Sequence, residues 1–268
     1  MSSAPTVAEL SQPVEAEPVW DMQATKELVR ARFGSSKVQL MLPSLNAVGT
    51  RNVFAQLHYQ RARKRFEAKL VQVPTRESGF SPEDRVVHDP FERLIELMSS
   101  EDWNLFVLET EADLIACANS IRAALDALAH ALYFATGMDQ LGGRGGLPLW
   151  KVSPGAMREQ LFAAGANNMA QPLAALLNDP FWLCLQTVDN LAKHRGYPRV
   201  GFSLMHISQD GWPLLTFSNH PADIKCPDGA EDIWGLLREA HLRVAKTFVN
   251  CGIALNVWLA ESPGENMV

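Results

Sequence analysis

The chain has 268 residues, of which 47% are apolar and 20% charged, with a formal net charge of −6. That length is ample for a buried core, and the composition is that of an ordinary globular protein. The acidic balance excludes a chain that is polybasic throughout, so any nucleic-acid surface has to be a local basic patch.

Residues 1–20 are rich in Ser, Pro, Ala and Glu without periodicity, and are expected to be a mobile N-terminal segment. Residues 21–33 read as a short helix ending at Gly34. Residues 37–42 are a short apolar run before Pro43, read as a strand or an extended packing segment. Residues 50–70 read as a helix capped by Thr50, with Phe54, Leu57, Phe66 and Leu70 as a partial apolar stripe. The same helix carries the strongest basic cluster of the chain: Arg61, Arg63, Lys64, Arg65 and Lys69. Such a run is either a solvated face or a phosphate-contacting surface.

A polar loop is expected over 74–89. Asp89 and Pro90 then stand as N-cap and first residue of a helix running to about Met98. Residues 111–136 form the stretch around which the rest is arranged. Leu114, Ala118, Ile121, Leu125, Leu128 and Leu132 recur at spacings of three and four, which predicts a helix of about seven turns. Arg122, Asp126 and His130 follow one another at four-residue spacing beside that stripe. Gly137 suits the helix end. The glycine-rich run 142–146 lacks the Gly-Lys-Ser/Thr ending of a phosphate loop and reads as a connection.

Weak helical pieces follow at about 155–164 and 171–177. Residues 179–196 are better punctuated: Asp179 is the N-cap, Pro180 the first turn, Gly196 the stop, and Pro198 blocks continuation. Between 200 and 218 the period changes from helical to alternating around Asp210-Gly211, which predicts a β-hairpin. A last helix starts near Asp228, with Glu231 as its capping-box partner, and runs to about Ala260. The expected fold is therefore mainly α: a single helical-bundle domain over 21–268, with about four long helices (50–70, 111–136, 179–196, 230–260) and an inserted hairpin near 200–218.

The four cysteines, Cys117, Cys184, Cys226 and Cys251, show no metal-site spacing and are expected to be free thiols in a reducing cytoplasm. The chain does not start with a basic stretch and an apolar run, so no signal peptide is expected. The longest apolar stretch, 244–260, carries Lys246, Asn250 and Asn256 and is too short and polar to span a membrane.

No di-iron Glu-x-x-His pair, His-Glu-x-x-His motif or Gly-x-Ser-x-Gly elbow occurs. Asp126 and His130 are two ligands at most, so no metal and no cofactor is expected. What remains is Asp189-Asn190-Leu191-Ala192-Lys193-His194-Arg195. An Asn followed four residues later by a His near a helix end, then a basic residue, resembles the signature of the HEPN superfamily. Arg122 and Asp126 on the central helix are similar to the Arg-x-x-x-Asp helix of several HEPN-like families.

The resemblance implies a helical bundle, commonly a homodimer, and either a metal-independent ribonuclease of a bacterial defence or toxin system or a non-catalytic binding module. In a ribonuclease, His194 would be the general acid or base. Arg195 or Arg122 would supply the cation, and Asn190 would position the phosphate or orient His194. The chain departs from the pattern where the motif has Arg, because that position holds Asp189.

Three functions follow. The first is a HEPN-like module that binds RNA or a protein partner through a degenerate site. The second is an active ribonuclease using His194, and the third a structural or oligomerisation protein without nucleic acid. Each residue also has an ordinary structural role to weigh. His194 and Arg195 suit the negative end of a helix dipole. Arg122 and Asp126 can form an intrahelical pair, and His130 can be a satisfied, partly buried histidine. The basic helix favours the first function over the third if it lies near His194, and the third over the first if it faces away.

Overall fold

The computed structural model describes residues 18–70, 98–141, 147–194, 199–207, 213–218 and 232–261. Among them the architecture is mainly helical. In chain order the elements are α1 (Met22–Phe33), α2 (Ser35–Leu70), α3 (Glu101–Ala135), α4 (Pro154–Ala163), α5 (Asn167–Leu177), α6 (Pro180–His194), β1 (Arg199–Ile207), β2 (Pro213–Ser218) and α7 (Ile233–Glu261). Short 3-10 turns at Met138–Leu141 and Leu149–Lys151 lie between α3 and α4.

Helix α3 is the axis of the molecule. Its 35 residues span about 52 Å at 1.5 Å per residue. Ser100 caps it by accepting from the Trp103 amide at 3.1 Å. The predicted stripe is buried: Leu114, Leu125, Leu128 and Leu132 are fully inside, with Ile121 beside them. A second buried row, Phe106, Thr110, Asp113, Cys117, Ala124, Ala131 and Ala135, runs down another face. A helix buried on more than one face must be surrounded by others. The sequence reading started this helix at 111. Residues 101–110 belong to it as well, because Trp103 and Phe106 are buried and the Thr110 hydroxyl donates to the Phe106 carbonyl within the helix.

Helix α2 lies antiparallel along α3. Lys37 at its start pairs with Asp139 just past the end of α3 (2.6 Å), and Arg65 near its end pairs with Glu109 near the start of α3 (3.0 Å). The expectation of an extended segment over 37–42 and a cap at Thr50 is corrected here, since α2 is one helix from Ser35 to Leu70 with Pro43 inside it. Pro43 removes one backbone donor. Met41, Leu45 and Val48 are nonetheless fully buried at helical spacing, and that burial outweighs the local cost. Helix α5 likewise contains Pro172.

Gly34 at φ +86° turns the chain between α1 and α2, and Gly137 at φ +75° follows the end of α3. Helix α1 packs on α2 and α7. The chain leading into α1 is held firmly at Trp20, which the sequence reading placed in a mobile segment. Trp20 is buried, its Nε1 donates to Thr25 Oγ1 (2.8 Å), and Thr25 Oγ1 donates to Asn256 Oδ1 on α7 (2.6 Å).

Helix α6 starts as predicted. Asp179 Oδ1 accepts from the amides of Phe181 (2.9 Å) and Trp182 (3.4 Å), while its Oδ2 accepts from Arg243 on α7 (2.9 Å). Strands β1 and β2 pair antiparallel, Arg199 opposite Ser218 and Ser203 opposite Leu214, with an irregularity between Ser203 and Ile207. Helix α7 starts after Asp232, which accepts from the Gly235 amide. The predicted loop 74–89, the Asp89-Pro90 start, the run 142–146, Arg195, Gly196, Pro198, the turn at 208–211 and the pair Asp228/Glu231 lie outside the described residues.

The expectation of four free thiols is corrected at Cys184, which is disulfide-bonded, whereas Cys117 and Cys251 are free and buried. Spacing along the chain carries no signal for such a bond. Among the described residues, no helix is long and apolar enough to cross a membrane.

Candidate functional site

Two clusters of ionisable side chains meet α3, and they contain most of the residues singled out by sequence. The first joins α3 to α6. The Arg122 guanidinium donates to Asp189 Oδ2 and to Asn190 Oδ1, the latter at 2.7 Å. Asp189 is fully buried, Arg122 is partly buried and Asn190 is exposed. The apolar side of α6, Leu185 and Val188 above all, is buried and turns Asp189 inward.

A carboxylate in that position needs a cation, because an unpaired buried charge is strongly unfavourable. Arg122 answers that need. The sequence reading offered Arg122 either an intrahelical pairing with Asp126 or a role as the cation of a nuclease. Its hydrogen bonds instead run across to α6. Asp126 and His130, further along α3, are half-buried. His194 closes α6, and its side chain and Arg195 lie outside the described residues.

The second cluster joins α2 to α3 around Asp113. This carboxylate is buried and accepts from His58 Nδ1 (2.9 Å) and Arg65 (2.8 Å), with Arg61 Nε at 3.8 Å. Burial pushes the Asp113 carboxyl up, but the His58 and Arg65 hydrogen bonds and the nearby arginine charges outweigh it and hold the group below the usual carboxylate range. Arg65 also reaches Glu109, and Arg63 pairs with Glu67 one turn on at 3.0 Å. Three of the five residues of the predicted basic patch thus spend charge on acidic neighbours. Lys64 is exposed and Lys69 half-exposed.

The two clusters do not form one surface. Asp113 and Arg122 are nine residues apart on one helix, which turns them about 180° from each other and separates them by about 14 Å along the axis. The basic end of α2 therefore packs on the face of α3 opposite Arg122.

Sequence reasoning missed Asp113, His58 and His241. His241 on α7 bonds through Nε2 to Asn52 Oδ1 on α2 at 2.6 Å, and burial lowers its pKa below the ordinary histidine value. Asp113 is one turn before Cys117 on a buried row of α3 outside the stripe read as apolar, and nothing in its spacing along the chain marks it as buried. Among the described residues, no group of three His, Cys, Asp or Glu is placed to hold a metal ion. Comparison with protein-family models, curated proteins and solved structures returns no match.

Proposed function

We propose that the protein is a HEPN-like helical module that binds a protein partner through a degenerate site and does not cleave RNA. The observation that carries this reading is the commitment of Arg122 to Asp189 and Asn190. Metal-free cleavage of RNA needs a cation at the phosphate together with an acid or base. Here the motif position that would hold Arg holds a buried Asp instead. That Asp neutralises the nearest Arg of the central helix, while Asn190, the expected phosphate-positioning group, accepts from the same guanidinium.

The pairing of Arg61 and Arg65 with Asp113, on the face of α3 opposite Arg122, and of Arg63 with Glu67 within α2, weighs against a continuous phosphate track and favours a protein partner over RNA. The partner in this reading is in the first instance a second copy of the chain. Val53, Phe54 and Leu57 on α2 are exposed apolar side chains close together on one stretch, as at a surface that a partner covers.

The test is RNA cleavage in EDTA by the wild type and by His194→Ala. The proposal expects no cleavage that depends on His194. Cleavage by the wild type that is lost in His194→Ala makes the protein a ribonuclease and overturns the proposal.

A further inference from the structure

The two oxygens of Asp113 divide the side chains of α2 between them. Oδ1 accepts from His58 Nδ1 at 2.9 Å, while Oδ2 accepts from Arg65 at 2.8 Å and has Arg61 Nε at 3.8 Å. The buried carboxylate thereby fixes the imidazole. With the proton on Nδ1, Nε2 is an acceptor, and it points away from Asp113 because the two nitrogens lie on opposite sides of the ring. The His58 side chain is 29% exposed, and among the described residues its Nε2 is neither hydrogen-bonded nor shut off from solvent. One nitrogen anchored and the other presented is how an imidazole is prepared to act as a nucleophile.

Beside this ring stands a guanidinium that Asp113 does not hold closely. Arg65 answers the charge of Asp113 directly and also pairs with Glu109 at 3.0 Å. Arg61 is 64% exposed, comes no nearer to Asp113 than 3.8 Å, and makes no hydrogen bond among the described residues. Residues 58 and 61 are neighbours on the helix surface, three apart on α2.

We propose that His58 accepts a phosphoryl group on Nε2 from a small acyl phosphate, with Arg61 binding the phosphoryl oxygens. Nε2 attacks phosphorus and the Nε2–P bond forms. The P–O bond to the acyl group breaks, and the carboxylate leaves with that electron pair. The Nδ1 proton stays on the ring, whose positive charge then faces the Asp113 carboxylate. The charges favour a phosphoryl over an acyl group at this nitrogen. A phosphoryl group brings anionic oxygens that a planar guanidinium meets with parallel hydrogen bonds, and an acyl group brings none. One imidazole and one guanidinium serve a single phosphoryl group, not the continuous track that a nucleic acid needs. The site lies on the face of α3 opposite Arg122 and is separate from the Arg122–Asp189 cluster.

The test incubates the full chain with acetyl phosphate at neutral pH. Intact mass, phosphorus NMR and peptide mapping under alkaline conditions locate the label, since a phosphoimidazole is lost in acid. The proposal expects one phosphoryl group at His58, gained at least tenfold faster than at any other histidine, and no such label in His58→Gln. Arg61→Gln, a change at an exposed side chain, should slow labelling at least tenfold with the melting temperature unchanged. Arg30→Gln, at an exposed arginine on α1, should leave the rate as it is. No phosphoryl uptake at His58, uptake no faster than at the other histidines, or labelling indifferent to Arg61→Gln would each overturn it. Hydrolysis of acetyl phosphate that needs His58 but never phosphorylates it would also overturn it, by making the ring a base toward water.

Discussion

Gly252 on α7 has no room for a side chain. A Cβ there would fall inside the Trp20 ring, closer than two real atoms can approach. The glycine is a notch, and Trp20 fills it and anchors the start of α1 to α7. Gly252→Ala should therefore expel Trp20 at a cost of about 1–3 kcal/mol, read as a lower melting temperature. In Trp20→Ala the same glycine substitution should cost little more, because the clash is gone.

Asp113 and His241 contribute to the pH dependence on the acid side. Each has a folded pKa below its ordinary value, 3.8 for the carboxyl and 6.5 for the imidazole. In both cases the unfolded chain takes up the proton first. The stability that each contributes is present above its ordinary value and is lost as pH falls through the folded value. Asp113→Asn should weaken the fold at neutral pH and flatten its decline on the acid side of 3.8. His241→Gln should flatten the decline that begins below 6.5. Denaturant melts across pH would separate the two windows.

At the scale of elements, α6 depends on its cap. Asp179 serves two amides of its own helix and Arg243 of α7, and Arg243 in turn lies over the Phe181 ring at 4.6 Å. Asp179→Ala should cost about 1–2 kcal/mol and speed amide hydrogen exchange at Phe181 and Trp182 before it does so deeper in α6. This cap was legible in the chain, since Asp179-Pro180 is a local signal and local signals survive folding. The stripe of α3 was legible for the same reason.

What was not legible is tertiary. Pro43 reads locally as a stop, yet α2 runs through it because Met41, Leu45 and Val48 are buried along its length. Trp20 sits in a polar, proline-rich stretch, and what seats it is tertiary: a glycine on α7 far along the chain and the Thr25–Asn256 bond beside it. Arg122 and Asp189 were each picked out, but no spacing along the chain reveals that they face one another.

At the scale of the whole molecule, α3 divides the charges. One of its faces gathers His58, Arg61 and Arg65 around Asp113, and the opposite face presents Arg122 to Asp189. Arg65 and Arg122, which look available for phosphate in the sequence, make bonds between helices instead. The claim that the molecule is a binding module rather than a nuclease stands on one of these contacts above all.

The measurement that tests it most directly is a double-mutant cycle on stability with Arg122→Met, Asp189→Leu and the pair. Removing Arg122 alone takes a cation from a buried carboxylate, so that single change should be costly, while the double mutant recovers part of the loss. A coupling of about 2–3 kcal/mol is the predicted result. Additive effects of the two changes would mean that Arg122 is not held by Asp189, and would return it to the list of cations able to serve a phosphate.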